Sequence, residues 1–182
     1  MKYPTAKPSS IKRTKELLTT LPQDIYADNA VIKDALLTEA SEYGPGAAQM
    51  GINKYSYNLY FYKFEYGILL YKQGQWDDAE SMWLPLLPFN PTVAESLAKM
   101  FRRQHRYQDE IAILRLGIKE WINSPFSLYG VTPANLNERL QKAAAKKHRA
   151  EDLSTGFNYG PLPFDLSFVQ QLRNLYFKGI KQ

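Results

Sequence analysis

The sequence predicts an all-α protein, and three observations favour this fold class. Apolar residues recur at helical steps of three and four along nearly the whole chain, whereas the alternation typical of strands is hard to find. Cap-and-proline pairs that begin helices, Asn90-Pro91 and Thr132-Pro133, precede two of these stretches. Breaks rich in glycine and proline separate others. Together these signals divide the chain into eight predicted helices.

The first three predicted helices all precede Gly74. Residues 1–10 are expected to form a flexible N-terminal arm because two prolines interrupt them, and Ser10 is a suitable cap for a helix over residues 11–21. A second helix spans residues 28–43, and the glycine-rich residues 44–51 are expected to form a connection. The third helix, residues 52–73, has apolar stripes on two faces, which is typical of a central helix with neighbours on both sides.

Five further helices are predicted in the rest of the chain. They begin near Trp76, Pro91, Tyr107, Pro133 and Leu166, and Asp165 is a suitable cap for the last of them. The helix that begins at Trp76 should break near Leu84, because two prolines follow and a proline inside a helix costs about 3 kcal/mol.

The composition excludes several classes of protein. The 182 residues are 45% apolar and include no cysteine, which excludes a disulfide scaffold, a thiol nucleophile and thiolate metal sites. No run approaches the ~18 apolar residues that a membrane-spanning helix needs, and residues 1–10 lack the apolar stretch of a secretory signal. We therefore expect one cytoplasmic, all-helical domain over residues 11–182.

An internal repeat is the most specific signal in the chain. Residues 66–83 read YGILLYKQGQWDDAESMW and lead to Asn90-Pro91. This stretch resembles a tetratricopeptide repeat (TPR), a pair of antiparallel helices. The resemblance implies that Gly67 and Ala79 lie at a close helix crossing, that Leu70 and Trp83 pack between the helices, that Gly74 forms the turn and that Trp76 opens the second helix.

A weaker second copy follows, in which Ala98 corresponds to Gly67 at a spacing slightly shorter than the usual period of the family. Glu110 stands where the family prefers alanine, and a register that makes Ala112 the small residue remains open. The resemblance implies a right-handed superhelical array of antiparallel helix pairs with flanking capping helices. Residues 28–60 would form the leading helices, residues 61–120 the two TPR-like repeats and residues 132–180 the C-terminal helices.

No arrangement typical of an enzyme, a cofactor site or a metal site is found. His105 and His148 lie among basic residues, which disfavours both the charged imidazolium and metal binding. Asp77 and Asp78 are adjacent on a helix, so their carboxylates point in different directions and suit a helix start better than acid–base catalysis. We expect a non-enzymatic protein that needs no cofactor and no metal.

The resemblance implies a scaffold or adaptor for protein–protein interactions. In this family the first helices of the pairs line a concave face that commonly holds peptides. Here that face combines apolar and basic side chains, which suits an acidic protein or peptide with aromatic or aliphatic anchors. The expected partner-binding residues are Phe61, Phe64, Ile68, Tyr71, Lys72, Lys99, Arg102 and Arg103.

Two alternatives remain open. The chain has 23 basic and 18 acidic residues, a net charge of +5, which also favours a nucleic acid as partner. A helix over residues 139–149 would then bind phosphates through Arg139, Lys142, Lys146, Lys147 and Arg149, although they also fit the polar face of an ordinary amphipathic helix. The other alternative is a small subunit of a larger complex, with the aromatic helix partly exposed until its partner docks.

Overall fold

Every regular element in the described part of the chain is a helix, which confirms the all-α fold class. The computed structural model describes residues 3–21, 30–87, 90–123, 131–145, 157 and 165–180, and no strand occurs among them. The chain divides into two compact units, the first formed by Met1–Ala6 and Gly67–Pro161 and the second by Lys7–Tyr66 and Leu162–Gln182. That residues 11–182 form a single domain stays a prediction.

Nine α-helices lie within the described residues. In chain order they are α1 (Pro8–Thr20), α2 (Ala30–Tyr43), α3 (Pro45–Ile52), α4 (Asn58–Lys72), α5 (Trp76–Trp83), α6 (Val93–Arg103), α7 (Tyr107–Asn123), α8 (Pro133–Ala145) and α9 (Leu166–Ile180). A π-helical turn, Asn53–Tyr57, joins α3 to α4. A 3₁₀ turn, Leu84–Leu86, follows α5, which confirms the predicted break near Leu84.

Two predictions about the start of the chain are wrong. α1 begins at Pro8 rather than at residue 11, because the fixed φ of proline suits the first helical position. Residues 44–51, predicted as a connection, contain most of α3 instead. Gly44 ends α2 with a φ of +79°, and Pro45 occupies the first position of the new helix. At eight residues, α3 is too short to display a clear helical period.

In the first unit, two successive helical hairpins turn in the same way. Gly74 follows α4 with a φ of +78°, and backbone N–H groups of residues 74 and 75 donate to the carbonyls of residues 71 and 70. His105 follows α6 with a φ of +61°, and residues 105 and 106 repeat this pattern on residues 102 and 101. Both are Schellman turns. The step along the chain from Gly74 to His105 equals the step from Gly67 to Ala98 in the sequence repeat.

Small residues allow the helices of each hairpin to approach closely. A Cβ atom on Gly67 in α4 would lie 2.2 Å from Nε1 of Trp83 in α5, so the glycine leaves the space that the indole ring occupies. In the second hairpin, a Cβ atom on Gly117 in α7 would lie 2.5 Å from that of Ala94 in α6. Ala79 is completely buried. The first crossing therefore uses Gly67, as predicted, and the residue that faces it is Trp83.

Replacing His105 with glycine should stabilise the second hairpin. A left-handed backbone costs an L-residue about 1 kcal/mol that glycine does not pay, whereas the bond of His105 Nδ1 to the Tyr107 hydroxyl is exposed. We expect the free energy of unfolding in urea to rise by about 0.5–1 kcal/mol for His105→Gly. A decrease would show that the contact with Tyr107 outweighs the backbone strain.

In the second unit, α3 packs against α2 and α9. Gly51 of α3 faces α9, and a Cβ atom there would make an ordinary contact with the Leu172 side chain at 3.4 Å. Apolar residues of α9 at helical spacing face the core, where Val169 and Leu172 are buried. Asp165 caps α9 as predicted, since its Oδ1 accepts the backbone N–H of Phe168 at 3.1 Å.

A polar cluster joins α2, the π-helical turn and α9 in the second unit. Lys33 Nζ lies 3.1 Å from Asp165 Oδ2 and 5.8 Å from the ring centroids of Tyr55 and Phe168. The Tyr55 hydroxyl accepts the backbone N–H of Asp165 at 2.9 Å. The Phe168 N–H and the Lys33 ammonium lower the pKa of Asp165 below its ordinary value.

This pKa shift predicts a loss of stability in acid. A carboxyl with a lowered pKa in the folded state stabilises the fold above its unfolded pKa of about 3.9, and this contribution disappears as the pH falls through the folded value. Asp165→Asn keeps the cap but loses the charge, so it should cost about 0.5–1 kcal/mol near pH 6. The difference from wild type in urea unfolding should shrink towards zero as the pH falls through the lowered pKa of Asp165; a difference independent of pH would contradict the role of the charge.

Candidate functional site: a basic cavity in the first unit

A cavity of about 520 Å³ in the first unit brings most of the predicted binding residues together. The apolar and aromatic groups come from α4 and α5, and the basic groups come from α4, α6 and α8. Five of the described lining residues are basic and none is acidic. The lining consists of Ile68, Tyr71, Lys72, Trp83, Ser96, Lys99, Arg102, Arg103 and Arg139.

Tyr71 contacts both an aromatic and a basic residue of the cavity. Its ring lies 6.0 Å from that of Trp83, which is 2% exposed and therefore fixed by its surroundings. Its hydroxyl accepts a hydrogen bond of 2.7 Å from Nη1 of Arg103, an exposed residue in the last turn of α6. The same guanidinium lies 5.7 Å from the Tyr71 ring centroid. Tyr71 thus orients one cation of the cavity.

A buried carboxylate holds two further cations in place. Glu110 of α7 is only 1% exposed, and its Oε2 accepts a hydrogen bond of 3.0 Å from Arg102 Nε, while Oε1 lies 2.9 Å from Arg102 Nη2. Arg139 Nε of α8 lies 3.8 Å from the same Oε1. Two guanidinium groups therefore share one carboxylate, which leaves a net positive charge at this wall of the cavity. Glu110 thus contacts two lining arginines from behind the lining itself, although the family resemblance would place alanine there.

Arg106 fastens the turn before α7 to α5. Its guanidinium forms a bidentate pair with Glu80, with Nη2 at 3.1 Å from Oε1, and its Nε donates to Asp109 at 2.6 Å. It also lies 4.2 Å from the ring centroid of Phe101. Burial alone would lower the pKa of Arg106, but the bonds to the two carboxylates outweigh it and raise the pKa above the ordinary value. These contacts hold the second hairpin against the first and so position α6 at the cavity.

The structure brings six of the eight predicted partner-binding residues together. Ile68, Tyr71, Lys72, Lys99, Arg102 and Arg103 all line the cavity. The other two, Phe61 and Phe64, belong to the second unit, where both contact the ring of Tyr60. Phe61 is 44% exposed. They are not among the described residues of the cavity.

The residues predicted for nucleic-acid binding are dispersed. Arg139 lines the cavity and approaches Glu110, and Lys142 is paired with Glu138 on the exposed face of α8. The remaining three, Lys146, Lys147 and Arg149, lie outside the described residues. Within the described part, the basic helix therefore divides its charges between the cavity and an ordinary pair on its own surface.

Sequence reasoning missed three residues of the cavity. Trp83 was predicted to pack between the helices, and Arg139 was assigned to the nucleic-acid alternative. Ser96 carried no chemical signal of its own. The sequence nevertheless indicates where Ser96 lies. Ser96, Lys99 and Arg103 follow one another at helical steps of three and four and therefore share one face of α6.

Comparison with protein-family models, curated proteins and solved structures finds no match for this chain. Within its described residues, none of the helices combines the length and apolar character needed to cross a membrane. The same residues contain no cluster of three or more metal-ligating side chains.

Proposed function

We propose that the chain is a non-catalytic, TPR-like interaction module that binds an acidic peptide segment in the basic cavity. The observation that carries the proposal is the composition of the cavity lining, which combines five basic side chains with three apolar or aromatic residues, Ile68, Tyr71 and Trp83, called here the apolar floor. The two hairpins with equal turns and close crossings support the relation to helical repeats. In such a module the helices would be parts of a right-handed superhelical array.

The charged side chains of the cavity lining favour an acidic ligand. Of the five cations, Lys99 is paired with Glu95 at 2.8 Å, and Arg102 and Arg139 approach Glu110. The lining itself contains five basic and no acidic side chains, a composition that the carboxylates of an acidic ligand complement. The apolar floor would bury one aromatic or aliphatic side chain of the ligand, and such buried anchors carry most of the binding energy in peptide complexes.

Reversing two exposed charges tests this function. Lys99→Glu with Arg103→Glu should weaken binding of a synthetic peptide, one phenylalanine flanked by glutamates, at least tenfold, because both attractions become repulsions. Arg102 is left intact, since its replacement would leave the buried Glu110 without its bidentate partner. Fluorescence anisotropy of the labelled peptide measures the affinity.

The matched control reverses two basic residues of the same unit that do not line the described cavity. Arg115→Glu with Lys119→Glu changes the net charge equally, and we expect less than a threefold effect because such charges act only at long range. Equal weakening by both double variants would show non-specific attraction and would overturn the proposal. So would binding of a single-stranded oligonucleotide, with a steep salt dependence, by a chain that does not bind the peptide.

A further inference from the structure

A short segment of the first unit, the strap (residues 3–6), is bound over the turn between α4 and α5. The Tyr3 ring stacks on Trp76 with a centroid distance of 4.5 Å and an interplanar angle of 7°. The backbone N–H of Ala6 donates to the carbonyl of Lys72 at 2.7 Å, so it satisfies one of the free carbonyls at the end of α4. The strap therefore has an ordered position on the hairpin.

Gly74 leaves room for the strap backbone at the turn between α4 and α5. A Cβ atom at Gly74 would lie 2.7 Å from the carbonyl oxygen of Tyr3 and 3.4 Å from the Thr5 methyl group. Glycine at this position thus serves two purposes, since it adopts the left-handed turn and lets the strap backbone approach. At the equivalent turn of the second hairpin, His105 carries a side chain, so the two turns differ at a position that the strap backbone approaches.

A continuous series of aromatic rings runs from the strap to the cavity. Trp76 contacts both Tyr3 and the ring of Tyr71, the latter with a centroid distance of 5.0 Å and an interplanar angle of 24°. The indole N–H of Trp76 also donates to the Tyr71 carbonyl at 2.9 Å. Tyr71 in turn contacts Trp83 and accepts the hydrogen bond from Arg103. Each step is a direct contact between neighbouring side chains.

We propose that the strap is a positioning element of the basic cavity: through Tyr3 and Trp76 it fixes the Tyr71 ring, and Tyr71 holds Arg103 towards the ligand. This inference rests on the proposed function, because it concerns the affinity of the same cavity. Tyr3 stacks on Trp76 and is not among the described residues of the cavity, so its effect on the ligand is indirect, and the ring contacts lead from Trp76 to Tyr71.

Tyr3→Ala in the full chain tests the proposal with the same glutamate- and phenylalanine-containing peptide. Loss of one stacked ring should raise the Kd about two- to tenfold. Tyr3→Phe keeps the ring and loses only the 3.4 Å contact of the hydroxyl with Asp77, so it should bind like wild type. In a chain that carries Arg103→Ala, the effect of Tyr3→Ala should become smaller, because Tyr71 then no longer holds Arg103 and only its own apolar contact with the ligand remains.

The NMR signals of the Tyr71 ring provide a second readout that needs no ligand. They should shift in Tyr3→Ala and stay in place in Tyr3→Phe. An unchanged Kd in Tyr3→Ala, or effects that simply add in the Arg103→Ala background, would overturn the role of the strap. If the wild-type chain does not bind the peptide, the proposed function fails on its own, and unchanged Tyr71 signals in Tyr3→Ala would then overturn the positioning role separately.

Discussion

Gly67→Ala is expected to destabilise the protein by about 2 kcal/mol or more, although alanine is the better helix former. The new methyl group would lie 2.2, 2.6 and 2.8 Å from three atoms of the buried Trp83 indole. Overpacking a buried site costs about 1–3 kcal/mol and sometimes more, and a rigid ring that cannot turn away places this site at the upper end. The gain in helix propensity, about 1 kcal/mol, offsets only part of that cost. Urea unfolding measures the difference.

Two further variants show whether the cost arises at this contact. Gly46→Ala in α3 is the matched control, because a Cβ atom there meets nothing within 4 Å, so the change should be neutral or stabilising by up to about 1 kcal/mol.

Adding Trp83→Leu to Gly67→Ala recreates the combination of Ala98 and Leu114, which stand at the corresponding positions of the second hairpin. We expect the double variant to be more stable than the sum of the single effects by about 1 kcal/mol or more. A neutral Gly67→Ala would contradict the close crossing.

Glu110→Ala is expected to cost about 2–3 kcal/mol. Removing one partner of a buried ion pair costs about 3–5 kcal/mol because a charge stays buried without compensation. The value should be lower here, since the side chains of Arg102 and Arg139 are 31% and 22% exposed and can turn towards water. Urea unfolding again measures the effect, and Glu95→Ala, which removes an ordinary pair with Lys99 on α6, should cost no more than about 0.5 kcal/mol.

The Glu110→Ala variant also distinguishes two possible roles of residue 110: a small residue at the helix contact, or a carboxylate that binds the arginines. Alanine is the residue that the repeat family prefers, and Ala79 occupies the equivalent position of the first hairpin. If the hairpin needed only a small residue there, Glu110→Ala would be neutral or stabilising. A loss of about 2 kcal/mol would show instead that the second hairpin uses the position to anchor the arginines of the cavity.

The helices were largely predictable from the sequence because their signals are local. Asp165 and Thr132-Pro133 act at the position where they stand, and the periodic apolar residues of α6 and α9 face their cores. α3 was not predictable because its eight residues contain too few turns to show a period. The position of the Trp83 ring against Gly67 also depends on two helices at once, although the glycine itself marked the crossing.

Only those residues of the candidate site that share a face of a single helix could be predicted from the sequence. The basic residues of α6 and the apolar residues of α4 follow from helical spacing, whereas Arg139 reaches the same cavity from α8, far along the chain. The roles of Glu110 and Tyr3 depend entirely on tertiary contacts. A buried carboxylate that holds arginines and an arm that stacks on a tryptophan have no local pattern by which they could be recognised.

The most direct test of the central claim is to locate the bound peptide by chemical-shift mapping or by an experimental structure of the complex. The account predicts that the phenylalanine of the peptide lies against Ile68, Tyr71 and Trp83, with glutamates beside Lys99 and Arg103. A peptide bound elsewhere, with the signals of these five residues unchanged, would contradict the assignment of the cavity as the binding site.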